Sequence, residues 1–256
     1  MNEVAQAAFI TGMMLLVSVT PGNCSATHPG HNCSPLTLAS WQQHVYPLKA
    51  MPRYVFYYFD ACALGEVSRQ LFHIAGIPFV DRRIKFDDWK NQKDQMIFGH
   101  IPVLFIDGQQ LPQSQAIARY LATQCGLAGR DDFEQAWVDA FGDQFKDYWV
   151  ENLPYFVTEV GLRPGDKDKL RAEVGIPARD KFFPIIERYL ADSPSGYLVG
   201  DGLTWIDLQI ADHAAVLEEL MPGYLADFPR VLAHKDKIRS IPAVKSWLEK
   251  RPKTKF

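Results

Sequence analysis

The sequence predicts an α/β domain over residues 51–129 followed by an all-helical domain over residues 130–256. Two observations predict it. Short apolar, β-branched runs flank a single helical pattern in the first stretch, whereas the second carries helix periodicity with no strand of comparable quality. Tyr54–Phe59 (YVFYYF) is a continuous apolar run, the pattern of a strand buried on both faces. Leu64, Val67, Leu71 and Ile74 then recur at spacings of three and four, and Gly76 and Pro78 stop the helix they imply. Phe79–Ile84 reads as a second strand and Val103–Ile106 as a third, separated by the polar residues 85–99 with an isolated Trp89. Asp107-Gly108 is a hairpin signal leading into Gln109, Gln110 and Leu111. Ser114 is placed to cap a helix through Leu121, and Gly126 lies just past its end. The order β-α-β, variable segment, β-β-α suggests a thioredoxin-like arrangement.

Further on, helical patterns cover residues 132–151, 167–191, 204–220 and 243–251. Thr204-Trp205-Ile206-Asp207 reads as a capping box with Asp in the usual place of Glu, and Leu203 and Leu208 are spaced as a hydrophobic staple. Such a box is mainly a local folding feature. No internal repeat or low-complexity tract interrupts the chain.

Composition narrows the function classes. Hydrophobic residues make up 47% and charged residues 22%, the balance of a globular protein rather than a disordered one. A net charge of -3 removes the electrostatic drive for non-specific nucleic-acid binding. Cys24, Cys33, Cys62 and Cys125 form neither a CxxC pair nor a zinc-type spacing, which excludes a metal-built fold or a disulfide scaffold.

Residues 1–50 differ from the rest, with Glu3 and Lys49 their only charged side chains. The apolar run from Phe9 to Val19 is too short to span a bilayer as a helix. With the small polar stretch after it, the run resembles the core and cleavage region of a secretory signal, although no Lys or Arg precedes it. Asn23-Cys24-Ser25 and Asn32-Cys33-Ser34 match the glycosylation pattern. Three readings stand: a signal, giving a secreted product; an unstructured leader; or a start placed too early, with the real initiator at Met51, giving a cytoplasmic one. The absence of further Asn-X-Ser/Thr acceptors after Met51 favours the cytoplasmic reading.

Several motifs then occur in a compatible order: MPRYVFYYFDACALGEVSRQLFHIAGIPF, Trp89 and Lys93, FGHIPVLFIDGQQLPQSQAIARYLA, and IPAVKSWLEKRPKTKF. Together they resemble the glutathione transferases, most closely the sigma class, which includes glutathione-dependent prostaglandin D synthases and many nematode enzymes. The resemblance implies a thioredoxin-like domain that binds glutathione and a helical domain that completes a pocket for the electrophile. It implies glutathione as co-substrate with no permanent cofactor or metal, a homodimer, and no nucleic-acid partner or membrane span. Conjugation to small hydrophobic electrophiles is the expected reaction, with prostaglandin isomerisation as a further activity of the class.

The resemblance also assigns residues. Tyr58 matches the tyrosine whose hydroxyl donates to the glutathione sulfur; Tyr57, on the opposite face of the strand, is left to packing. A free thiol with a pKa near 8.5 is roughly 3% ionised at pH 7. One hydrogen bond to the charged form is worth about 1.5–3 kcal/mol and would raise that fraction to roughly 20–75%. Gln113 and Ser114 match the pair that holds the γ-glutamyl end, where a helix N-terminus favours a carboxylate. Trp89 and Lys93 match contacts to the glycyl end. Ile101 presents its backbone to the cysteinyl peptide ahead of Pro102, whose peptide bond is cis in the family; Gly99 and His100 are further glutathione contacts, His100, where Lys or Gln is common, largely through backbone. Departures from the family pattern are Cys62-Ala63 in place of Arg-Gly, and Leu64 in place of a basic residue. Asp143 and Asp147 fall near acidic residues that bind an ion or the partner's glutathione in relatives, but Lys146 interrupts the set, and a solvated helix face is the simpler reading. The alternatives are a redox enzyme using Cys62, which lies where thioredoxin-like proteins carry a reactive thiol, and a non-catalytic, crystallin-like binding protein.

Overall fold

A four-stranded sheet organises the first half of the described chain. The protein is seen in a computed structural model that describes residues 51–254 and 256. The expectations for Cys24, Cys33 and the leader lie outside these residues. Strands β1 (Tyr54–Phe59), β2 (Phe79–Ile84), β3 (Val103–Ile106) and β4 (Gln109–Pro112) are ordered β2-β1-β3-β4. β1 is parallel to β2 and antiparallel to β3, and β4 returns antiparallel beside β3. Asp107 and Gly108 both take positive φ, 50° and 88°, as a tight hairpin whose twist matches its strands requires. Helices α1 (Glu66–Ile74) and α2 (Ser114–Cys125) complete this thioredoxin-like half.

The expectation that β1 is buried on both faces is corrected. Tyr54, Phe56 and Tyr58 are buried, whereas Val55, Tyr57 and Phe59 are only half-buried. The helices pack on one face, so an all-apolar run marks one buried face and one partly covered by aromatic contacts such as Tyr57 on Phe105, centroids 5.0 Å apart. α1 also starts later than the spacing of Leu64 implied. Ala63–Gly65 forms a separate 3-10 turn, with Ala63 at φ 35°, and leaves Leu64 half-buried at the edge of the core.

The remainder is helical: α3 (Asp132–Glu159), α4 (Lys167–Leu170), α5 (Ile176–Asp192), α6 (Trp205–Leu220), α7 (Pro229–Ser240) and α8 (Pro242–Lys250). α3 continues past the expected end at Glu151 and through Pro154, losing one intrahelical donor there. The expected single helix over 167–191 is divided by a wide π turn, Arg171–Gly175. A Cβ on Gly175 would overlap the Tyr155 ring, so the turn packs directly on α3 there. α7 had no strong sequence signal because only Val231, His234 and Ile238 are buried along it, among Arg and Lys.

The capping box at Thr204 is present, and it reaches further than a local feature would. The Thr204 amide and hydroxyl donate to one Asp207 oxygen, at 2.9 and 2.7 Å. The other oxygen accepts from the Leu198 amide at 2.9 Å and lies 2.9 Å from His234 Nε2. Asp207 is fully buried, and through it α6 is tied to α7 and to the loop before the box.

Candidate active site

Strand register brings the expected residues to one end of the sheet. Tyr57 pairs with Val103 and Val103 with Pro112, so Tyr58, the Ile101-Pro102 bond and Gln113 follow or precede adjacent positions. Phe59 pairs with Ile84, which places the entry to residues 85–99 at the same end. The Ile101-Pro102 peptide is cis.

Tyr58 is buried, and its hydroxyl accepts a hydrogen bond from the Leu64 amide at 3.2 Å. Burial pushes the phenol up to about 12, against the lowering effects of the Leu64 amide and Arg69. It therefore stays protonated at neutral pH and can act only as a donor toward an anion. Its ring is fixed from below: a Cβ on Gly65 would overlap it. Gly65→Ala is expected to cost roughly 1–3 kcal/mol by overpacking. Urea denaturation reads this directly, and an unshifted midpoint would show that the ring has room to move.

Residues 85–99 form two short 3-10 turns, Phe86–Asn91 and Lys93–Gln95. Phe86 stacks on Phe59 at 4.4 Å, and Trp89 meets the same ring edge-on at 5.7 Å. Gln110 on β4 clamps the far end, accepting from the Ile97 amide at 2.9 Å and donating to the Gln95 carbonyl at 3.0 Å. Lys93 and His100 are exposed, and Gly99 takes φ 64° beneath the Lys93 side chain. Sequence reasoning missed the Gln110 clamp, since nothing in a strand glutamine announces a partner thirteen residues earlier.

The expectation that Ser114 caps α2 is corrected. Gln113 holds the cap position at φ 79°, ψ 116°, and neither side chain supplies a cap bond. Ser114 is the first helical residue, so its hydroxyl is left half-buried at a helix N-terminus.

Beside Tyr58 lies an apolar cavity of about 230 Å³. Leu64 and Phe86 line it from the sheet side, Trp149, Leu153 and Phe156 from α3, and Phe256 from the segment after α8. The α3 residues fall at i, i+4 and i+7, a legible stripe obscured by ending that helix too early. Phe256 packs edge-on against Phe156 at 5.6 Å, and its carbonyl accepts from the Cys62 amide at 2.8 Å.

Cys62 does not have the surroundings of a redox nucleophile. Burial, then Glu66 and Asp212, push its thiol up to about 12, the reverse of an activated cysteine. Its sulfur lies 3.3 Å from the Thr254 hydroxyl. Around it runs a buried charge network. Arg69 donates to the Phe59 and Ala61 carbonyls and pairs with Asp81 and Glu66. Glu66 accepts from Trp247 Nε1 at 2.6 Å and from Arg251 at 2.7 Å, and Arg251 also reaches Asp212 at 3.1 Å.

Asp212 and its neighbour His213 give stability opposite dependences on pH. Burial, then Glu66, raise Asp212 to about 6 despite Arg251 and Arg239, so the cost of ionising it is absent below its unfolded value and complete above about 6. Burial lowers His213 to about 3, so its contribution is complete above its unfolded pKa near 6.5 and is lost as pH falls toward 3. The His213 displacement is the larger. The melting temperature should therefore fall between pH 6.5 and 4, and His213→Gln, which keeps a hydrogen-bonding group for Tyr148, should abolish that fall. An unchanged slope would assign it to other groups.

Asp143 pairs with Arg119 at 2.5 Å, and Arg119 also holds Asp139 at 2.9 Å. Among the described residues no group of three or more His, Cys, Asp or Glu is placed to hold a metal ion. Nor is any helix among them long and apolar enough to cross a membrane.

Comparison with known proteins agrees with this geometry. Residues 54–123 match the family model for the glutathione S-transferase N-terminal domain, and residues 163–251 match that for the C-terminal domain. Glutathione S-transferase 1 of Ascaris suum is 45% identical over 206 residues, covering 80% of this chain and all of that one. Among solved structures, a monomeric glutathione S-transferase from Necator americanus superposes with a TM-score of 0.75 at 45% identity, covering 80% of this chain and 100% of its own. A Nu-class enzyme from Haemonchus contortus gives 0.72 at 44%, with the same coverage. The prostaglandin synthase D of Nilaparvata lugens gives 0.71 at 30%, covering 79% of this chain and 100% of its own. The expected likeness to the sigma class thus resolves into a likeness to nematode enzymes, one of them of the Nu class. The chain belongs to the glutathione S-transferase family.

Proposed function

We propose that this transferase conjugates the glutathione thiolate to small hydrophobic electrophiles, a detoxification chemistry, with Tyr58 as the group that stabilises the thiolate. Glutathione is the co-substrate, as throughout the family. The observation that carries the reading is a phenol kept protonated in the lining of an apolar cavity, at the same end of the sheet as the cis Pro102 bond and the Gln113-Ser114 corner. The thiol gives up its proton to solvent, and the phenol donates to the sulfur while still accepting from the Leu64 amide. That amide makes the hydroxyl a better donor, so the pair acts as a short relay. Gln113 and Ser114 take the γ-glutamyl end, the Ile101 backbone takes the cysteinyl peptide, with Gly99 and His100 beside it, and Trp89 and Lys93 take the glycyl end. A panel of electrophiles assayed beside prostaglandin H isomerisation tests the reading. Turnover of prostaglandin H alone would replace it by the isomerase activity associated with the sigma class.

The glutathione-binding domain is assigned to residues 51–129 and the helical domain to 130–256, with residues 1–50 as a leader. We place the enzyme in the cytoplasm, in keeping with Cys62 and Cys125 as free thiols. Exposed Ile97 and Phe98, adjacent side chains near 60% accessible, support a homodimer, since paired large apolar groups are seldom left in water. The Necator americanus relative is monomeric, so the assembly has to be measured. Sedimentation of the full chain at micromolar concentration should give twice the 29.1 kDa chain mass; a monomer would remove the dimer.

A further inference from the structure

We infer that the acceptor cavity selects by charge, taking neutral electrophiles and refusing those that would bury a carboxylate, and that Leu64 sets this selection. The inference rests on the transferase reading and adds to it the class of acceptor. Apart from the Tyr58 hydroxyl and the Trp149 indole N–H, the described side chains lining the cavity are apolar, with no cation among them. Leu64 has a second position of interest: together with Ala63, Trp149 and Phe156 it also walls a small inner space of about 10 Å³. On the far side of that wall are Gln209, Asp212 and His213.

The polar groups behind Leu64 cannot serve an anion. His213 is buried, and its Nε2 faces the Tyr148 hydroxyl at 2.9 Å; burial keeps it neutral through the physiological range. Arg251 is held between Glu66 and Asp212. Arg239 lies 4.0 Å from Asp212. Arg69 is enclosed by Glu66, Asp81 and two carbonyls. A substrate carboxylate at Leu64 would therefore lose its water, gain no cation among the described residues, and face Asp212 across one leucine. A neutral conjugated acceptor loses little water and stacks against Phe86, Trp149 and Phe256. For an enone the chemistry balances without another reagent. The sulfur forms a bond to the β-carbon, the π electrons move to the carbonyl oxygen, and the α-carbon takes a proton from water in place of the one released by the thiol.

The test is a matched pair: 4-phenyl-3-buten-2-one bearing a para carboxylate, and its methyl ester, each rate divided by its uncatalysed rate with glutathione. The ester should exceed the acid in kcat/KM by about a hundredfold, from the cost of burying an unpaired charge. Leu64→Arg should raise the acid-to-ester ratio at least about tenfold, Leu64→Lys should do the same if the arginine does not fold, and Leu64→Gln, polar but uncharged, should not. A wild-type ratio within about threefold overturns the selection while leaving the transferase reading intact. Rescue of the acid by Leu64→Gln as strong as by the cations overturns charge as its basis. If neither acceptor reacts above background, the transferase reading fails together with this one.

Discussion

Tyr58→Phe slows conjugation by roughly ten- to hundredfold at pH 7 and leaves glutathione binding nearly intact, because one hydrogen bond to a charged sulfur is removed. The ring stays seated against Gly65 and within 5.7 Å of Arg69, so packing is conserved and the loss is chemical. Thiolate absorbance of the bound tripeptide, followed against pH, should shift upward by about one to two pH units. Wild-type turnover in the variant would mean that another donor activates the sulfur, the Leu64 amide first among them. Cys62→Ser serves as the companion measurement. Its buried thiol is not ionised near pH 7, and a serine hydroxyl can keep the contact with Thr254. Nearly unchanged turnover is expected, and a large loss would revive the redox reading.

Asp207→Ala is the largest stability loss we expect, about 3–5 kcal/mol. The carboxylate serves the Thr204 amide, the Thr204 hydroxyl, the Leu198 amide and His234, and alanine leaves these buried groups without their acceptor. For a chain of this size that corresponds to a melting temperature lower by roughly 10 °C, measurable by calorimetry. Asp207→Asn keeps the shape and some of the bonds and should fall between the two. A loss below about 1 kcal/mol would return the box to the local role its sequence pattern implies.

The contrast at Asp207 shows where sequence reasoning reaches its limit. The local signals were legible: the Asp107-Gly108 hairpin, the Gly126 cap, the bounds of β2 and β3, and the opposed faces of Tyr57 and Tyr58 all follow from chain-local chemistry. So did the Thr204–Asp207 pattern, three residues apart. Its two distant partners were not legible, because nothing at Leu198 or His234 points toward an acidic residue. The cavity divides in the same way. The stripe at Trp149, Leu153 and Phe156 was present in the sequence and was cut by reading α3 as ending before Pro154. Phe256 was different, since a lone aromatic residue beyond the last helix carries no periodicity and its place depends on where α1 and α3 leave room. Cys62 was ambiguous for a third reason: a thiol after the first strand is reactive or inert according to its burial, and burial is a tertiary property.

Gln113 carries a cost that an engineer would be inclined to remove. At φ 79° a side chain is tolerated only because the surrounding structure insists on it, and glycine would relieve strain of roughly 1–3 kcal/mol. Yet the same backbone turn lets the Gln113 carbonyl accept from the Ile117 amide and start α2 while leaving the half-buried Ser114 as the first helical residue. With Gln113 in its proposed role at the γ-glutamyl end, stability and recognition compete at this one residue. A library screened only for heat tolerance would be expected to collect substitutions here early, and each gain in tolerance would come with a weaker hold on the peptide the enzyme has to carry.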